Sequence, residues 1–170
     1  RQEARIALEN GTIDILAYST EQEDVLREHN LKSICDYAQV PLVLVKDKRE
    51  KNDNIQTLAT VSFLKEKADR VSAAEGVQII SFENQQDCID ALHNREVDAV
   101  LCNGYFVENL MRTDLQYDDL QIESILNIDY SISMAISNQQ TQLSGILEKT
   151  ISTIDSKMIN EYMFKEITYP

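Results

Sequence analysis

Two short clusters, Ser19-Thr20-Glu21 and Asn103-Gly104-Tyr105, carry the residue types that hold a small polar molecule by a few directed hydrogen bonds. Hydroxyls, a carboxamide and a phenol donate and accept, so their chemistry is recognition and not bond cleavage. Ser19, Thr20 and Asn103 are equally suited to cap helix amino termini, and one residue can serve both purposes. Groups for catalysis are sparse by comparison. His29 lies in a polar stretch and His93 in a helix-ending turn, and both read as surface residues. The spacing of Cys88 and His93 does not put them on one helix face. Cys35, Cys88 and Cys102 lack CxxC or Cys/His ligand spacing and read as buried thiols, with a Cys88–Cys102 bridge as the alternative. No glycine-rich phosphate loop, metal-ligand cluster or GxSxG stretch occurs. These residues point away from an enzyme, a cofactor and a bound metal.

Both clusters follow copies of an internal repeat. The stretch Ala7-Leu8-Glu9-Asn10-Gly11-Thr12-Ile13-Asp14-Ile15-Leu16 matches Ala91-Leu92-His93-Asn94-Arg95-Glu96-Val97-Asp98-Ala99-Val100 at a constant offset. Ala7/Ala91, Leu8/Leu92, Asn10/Asn94 and Asp14/Asp98 are identical, and Ile13/Val97 is a β-branched pair. In each copy a helical pattern ends at an asparagine, a residue tolerated in the left-handed conformation of a helix C-cap, and a β-branched strand begins. The offset pairs Ser19 with Asn103 and Thr20 with Gly104 at the two strand exits. Asp14 and Asp98 are expected to bond to nearby turn or helix N–H groups and not to a ligand.

The surrounding pattern alternates strand and helix: strands at Leu58 to Leu64, Val77 to Phe82 and Val97 to Cys102, with helices at Lys65 to Ala74, Asn84 to His93 and Tyr105 to Arg112. Such alternation implies a parallel sheet covered on both faces. Before it come a strand at Thr12 to Tyr18, a polar stretch through Leu31, the apolar run Val40 to Val45, and a hydrophilic linker or loop at Lys46 to Asn54. After it come a half-buried strand at Ile125 to Ser137 and two helices, Gln140 to Ile154 and about Ser156 to Phe164.

At 170 residues, with 43% hydrophobic and 26% charged residues but only 4 Gly and 2 Pro, the chain is a globular α/β protein of one domain or two small lobes. Its formal net charge of -13 repels phosphate backbones and anionic surfaces, which argues against a nucleic-acid partner. No apolar run of about eighteen residues is present to span a membrane. The first residues, Arg1-Gln2-Glu3-Ala4-Arg5, open in mid-helix and read as the start of an excised or processed piece.

Taken in order, these motifs resemble the type 2 periplasmic substrate-binding proteins, the family of amino-acid-binding importer components and the sensor domains derived from them. The resemblance rests on Leu8-Glu9-Asn10-Gly11-Thr12-Ile13-Asp14-Ile15, on Ser19-Thr20 with Tyr37 and Pro41-Leu42-Val43-Leu44-Val45, on Ser81-Phe82-Glu83-Asn84 through Ala91-Leu92 and Val97-Asp98-Ala99-Val100, and on Tyr130-Ser131-Ile132-Ser133-Met134-Ala135-Ile136. It implies two lobes with parallel-rich sheets flanked by helices, residues 1–46 with 131–170 and residues 47–130. It implies a cleft lined by Ser19, Thr20, Arg27, Asn103 and Tyr105. The family's carboxylate-clamping arginine falls on Glu23 when counted from Thr20 and on Arg27 when counted from Tyr37. Its ammonium-binding aspartate corresponds to the neutral Asn103, which argues against a standard free amino acid as ligand. Family members begin with a strand-helix-strand unit that this chain lacks, so the first lobe is expected to be incomplete. Its exposed sheet edge then marks a fragment, or is covered by another chain or segment. The function implied is a small-molecule sensor domain outside the membrane, part of a membrane-anchored bacterial signalling protein and closing about a hinge. The alternative is the solute-binding component of an amino-acid-type importer. A dimerisation or partner-binding module is a further reading.

Overall fold

The repeat is visible in the backbone before any other feature. In the computed structural model, which describes residues 2–50, 54–72, 76–155, 157–159 and 162, helix α1 (Gln2–Glu9) leads to strand β1 (Ile15–Ser19), and helix α4 (Gln85–His93) leads to strand β5 (Ala99–Asn103). The turns between them use the same bonds. Gly11 N donates to Leu8 O and Thr12 N to Ala7 O, as Arg95 N does to Leu92 O and Glu96 N to Ala91 O. The left-handed residue that closes each helix is Gly11 (φ 75) and Arg95 (φ 61), one position beyond the asparagines expected to take it. Glycine adopts that conformation without steric cost, whereas an arginine there costs about 1 kcal/mol, offset by the carbonyls the turn satisfies.

The chain divides into two compact units, Arg1–Gln39 with Tyr130–Pro170, and Val40–Asp129. Strands β2 (Leu31–Asp47) and β6 (Leu120–Ser137) contribute residues to both. In the first unit the strand order is β1-β6-β2, with β1 antiparallel to β6 (Ile15 opposite Ile136, Leu16 opposite Ala135). Its core gathers Leu8, Leu26, Leu31 and Ala135, with Ile13 and Leu16 packed against them. In the second unit the order is β2-β5-β3-β4, adding β3 (Thr57–Val61) and β4 (Gln78–Phe82). Strands β3, β4 and β5 are parallel, while β2 runs antiparallel to β5. The parallel-rich sheet thus holds for β3, β4 and β5, and the antiparallel pairs arise at β2 and β6. Leu58, Ala59, Val61, Val100 and Leu101 are buried, as expected of strands covered on both faces.

Helices α3 (Lys65–Ser72), α5 (Gly104–Thr113) and α6 (Thr141–Ile151) complete the layers, with a short helix α2 (Glu23–Glu28) inside the stretch read as merely polar. Strand β2 begins at Leu31, well before the apolar run, and Pro41 stands just before the ladder to β5 starts at Leu42, where a missing N–H costs least. Strand β3 stops at Val61 and Ser62–Leu64 form a 3-10 turn; β6 begins at Leu120. Helix α6 ends at Ile151, with Ile146 and Ile154 exposed. Residues 51–53, the expected helix end at Ala73 and Ala74, and much of the helix expected over 156–164 lie outside the described residues.

The segment read as a linker from Lys46 is anchored at its start. Asp47 is 3% exposed and accepts from Arg49 Nε (2.9 Å) and Nη2 (2.6 Å), while Lys48 N donates to Asp119 O (2.7 Å). Its carboxyl is held below the usual range by the Arg49 hydrogen bond, which outweighs the opposing effect of burial. A carboxylate with a depressed folded pKa stabilises above its unfolded value of about 3.9 and loses that contribution as pH falls through the folded value. Urea midpoints are therefore expected to fall on acidification below about pH 4 in the native chain, and to fall less in Asp47→Asn.

Candidate functional site

Strand β1 ends at Ser19, whose side chain is 3% exposed and whose Oγ accepts from Glu21 N at 3.3 Å. That local bond turns the chain off the sheet and leaves Thr20 half-buried at the exit. Neither residue caps α2, since the N-cap is Gln22 and makes no side-chain cap bond. Thr20 instead lines a cavity of about 240 Å³ together with Ala4, Leu16, Tyr18, Ser19 and Glu21. Glu21 Oε1 accepts from Arg5 Nη1 at 3.2 Å, Arg5 lies 3.5 Å from Glu9, and His29 Nδ1 lies 2.7 Å from Glu9. Glu21 Oε2 is buried without a hydrogen-bond partner. The cavity therefore pairs an apolar wall with a hydroxyl and a carboxylate shared with arginine.

At the second exit the capping role is realised. Asn103 Oδ1 accepts from Phe106 N at 3.2 Å, and its own N donates to Gln85 Oε1 at 2.8 Å. Gly104 begins α5 where a Cβ would stand 3.1 Å from Val43 Cγ1, so a side chain there would make the Val43 side chain give by a few tenths of an ångström. Tyr105 is half-buried in the first turn of α5; burial first, then Glu108, pushes its phenol up, which keeps it a donor. Asn103→Ala is expected to cost about 1 kcal/mol of stability through the lost cap, with Asn103→Ser recovering most of it in thermal melts.

Arg27 and Glu23, the two candidates for one family position, are i,i+4 partners on α2 at 3.4 Å, with side chains 72% and 75% exposed. Neither lines the cavity. The structure brings Ser19 and Thr20 together there, and places Asn103 and Tyr105 at the start of α5 in the other unit. Ala4, Leu16 and Tyr18 were missed, since apolar residues beside a strand exit carry no signal distinguishing cavity lining from core.

The expectations about reactive groups shift in detail. The three cysteines are unbridged, but Cys35 is only half-buried. Burial pushes the Cys88 thiol up to about 12, and Cys35 and Cys102 also rise, so thiolate chemistry is disfavoured. Neither histidine is a plain surface residue. Both are half-buried, and His93 packs edge-on against Tyr117 at 5.5 Å. Asp98 behaves as expected, its Oδ2 accepting from Gln56 N, Thr57 N and Thr57 Oγ1, but Asp14 is exposed and makes no such bond among the described residues.

No protein-family model matches this sequence, and no curated protein matches it either. Solved structures do. The periplasmic VFT2 domain of Bordetella pertussis BvgS superposes with a TM-score of 0.79 at 20% identity, over 96% of this chain and 72% of that one. A histidine kinase sensor domain with similarity to periplasmic binding proteins gives 0.73 at 11% identity, over 98% and 75%. The amino acid importer substrate-binding protein AbpA of Streptococcus pneumoniae, bound to L-arginine, gives 0.69 at 16% identity, over 97% and 73%. The fold is thus that of the type 2 periplasmic binding proteins, shared by sensor domains and importer components.

Proposed function

We propose that this chain is the small-molecule-sensing domain of a bacterial membrane signalling protein, situated outside the membrane, and that its ligand is held in the cavity at the exit of β1. One observation carries the reading: the fold is matched more closely by the BvgS and histidine kinase domains than by the arginine-bound importer component. The residues add to it. Arg27 is engaged with Glu23 on an exposed helix face away from the cavity, so it offers no clamp for the carboxylate of a free amino acid there. A neutral polar ligand, or one with a single amino group, suits Thr20 and Glu21 in that cavity. In this reading β2 and β6, which pass between the units, act as the hinge whose setting reports occupancy. The work of the domain is binding, with no chemical step.

The importer reading is favoured by the arginine-bound and L-cysteine-receptor structures among the neighbours, and it requires an arginine on the ligand carboxylate. A thermal-shift panel of amines, amides, sugars, dipeptides and free amino acids separates the two. A sensor ligand at about a hundred times its Kd adds about 2.7 kcal/mol, or about 5–10 °C in a chain of this size. We expect such a shift from a compound lacking an α-carboxylate, unchanged in Arg27→Lys. Shifts confined to free amino acids and abolished by Arg27→Lys establish the importer reading instead.

A further inference from the structure

The first unit holds a second hollow, away from the exit of β1. It lies between the first half of β2 and the end of α6, measures about 230 Å³, and shares no lining residue with the cavity at Thr20. Cys35 and Tyr37 stand two apart on β2 and so face it together. Helix α6 presents Glu148 and Ile151, three apart and on one helix face. Past α6 the chain turns back on itself. Ile154 N donates to Ile151 O at 2.9 Å and Ile159 N to Asp155 O at 3.2 Å, and these turns bring Ile154 and Ile159 to the same wall.

That wall is apolar, and most polar groups around it are already engaged. Tyr37 donates its hydroxyl to Ala17 O at 2.8 Å, and Ser152 Oγ donates to Lys149 O at 2.8 Å. Glu148 differs. Its Oε1 accepts from Ser144 Oγ at 2.8 Å, and the Lys32 ammonium, 3.9 Å from that same oxygen, is too far for a hydrogen bond. Both contacts fall on Oε1, which leaves Oε2 for a further donor. Asp36 adds a second carboxylate at the rim. Their field reaches Cys35, whose thiol is pushed up by burial first, then by Asp36 and Glu148.

We propose that this hollow binds a small organic monocation, an ammonium on an aromatic or short alkyl body, with Glu148 Oε2 accepting from the ammonium and Ile151, Ile154 and Ile159 covering the body. Charge sets the class. Two carboxylates against the single lysine leave one negative charge at the rim, and an anion would meet that charge and the chain's net -13 as well. Size sets the body. An engineered apolar cavity of about 150 Å³ takes benzene, so one of about 230 Å³ takes a ring with a short amino arm. Binding here is separate from the exit of β1 and does not depend on what that cavity holds.

Phenethylamine titrated into the full chain at neutral pH, and followed by amide chemical shifts, tests this. Phenethyl alcohol and hydrocinnamate serve as neutral and anionic ligands of similar shape. We expect the Cys35, Tyr37, Ile151 and Ser152 amides to move on one saturation curve with the amine, the alcohol binding about tenfold more weakly and the acid more weakly still. Glu148→Gln brings the amine to the affinity of the alcohol and leaves the alcohol unchanged. Ile154→Ser weakens amine and alcohol alike. The two side chains sit at exposed positions, so both variants keep the fold. Equal affinity for amine and alcohol overturns the proposal, as does an amine affinity indifferent to Glu148→Gln. Shifts confined to Ser19, Thr20 and Glu21, or none that saturate below about 10 mM, overturn it too.

Discussion

Asp98→Ala is expected to lower the stability of the chain by about 2–3 kcal/mol, while Asp14→Ala changes it by less than about 0.5 kcal/mol. The two aspartates are matched in the repeat, so residue type and local strand are held constant and only the neighbour differs. Asp98 Oδ2 accepts at 2.9, 2.8 and 2.9 Å from Gln56 N, Thr57 N and Thr57 Oγ1. Removing it strands two backbone amides at the start of β3, and an unsatisfied amide costs more than a bond contributes. Burial works to raise the Asp98 carboxyl pKa, but the two amides and the hydroxyl outweigh it and the net shift is downward. The contribution is thus present above about pH 4 and fades as pH falls through the lowered folded value, so the gap between native chain and Asp98→Ala should close in acid. Urea denaturation of both variants at neutral and acidic pH reads this out. Equal losses at positions 14 and 98 contradict it.

Leu101→Ala is expected to cost about 2–5 kcal/mol, the largest single loss in the second unit. Leu101 is fully buried in β5, with Leu44 opposite on one side and Thr60 on the other. Strands on both sides limit how far the site can collapse onto the space left behind, and limited collapse puts such losses at the upper end. The Thr60 Oγ1 bond to Leu101 O is to the backbone and survives the change, so the loss measures packing alone. A midpoint that falls with an unchanged denaturant slope is the expected signature. The repeat gives an internal control, because the equivalent position is Ala17, already small and exposed.

What could be read from the residues was the module and what it positions. Identical Ala-Leu and Asp pairs at constant spacing located two helix-to-strand turns that share their helix-closing backbone bonds, and with them the two strand exits. Harder to read were features set by tertiary partners. Helix α2 has only six residues and no side-chain cap bond, so its signal was lost in a polar stretch. The first half of β2, Leu31 to Ala38, interleaves Lys32, Ser33 and Asp36 with apolar residues and lacks the continuous run that marks Val40 to Val45. Asp47 looked like part of a hydrophilic loop because Arg49 and Arg95, which make its burial tolerable, act through space. At the site, spacing offered Arg27 and Glu23 as rival clamps, and the helix that carries both turns them toward each other.

The central claim is that the exit of β1 holds the ligand. The most direct measurement is an amide chemical-shift titration of the full chain with the compound that gives the largest thermal shift in the panel. The account predicts that resonances of Ser19, Thr20 and Glu21 move on a single saturation curve, with Thr20→Val weakening the binding. Saturable shifts that leave Ser19, Thr20 and Glu21 unmoved contradict it.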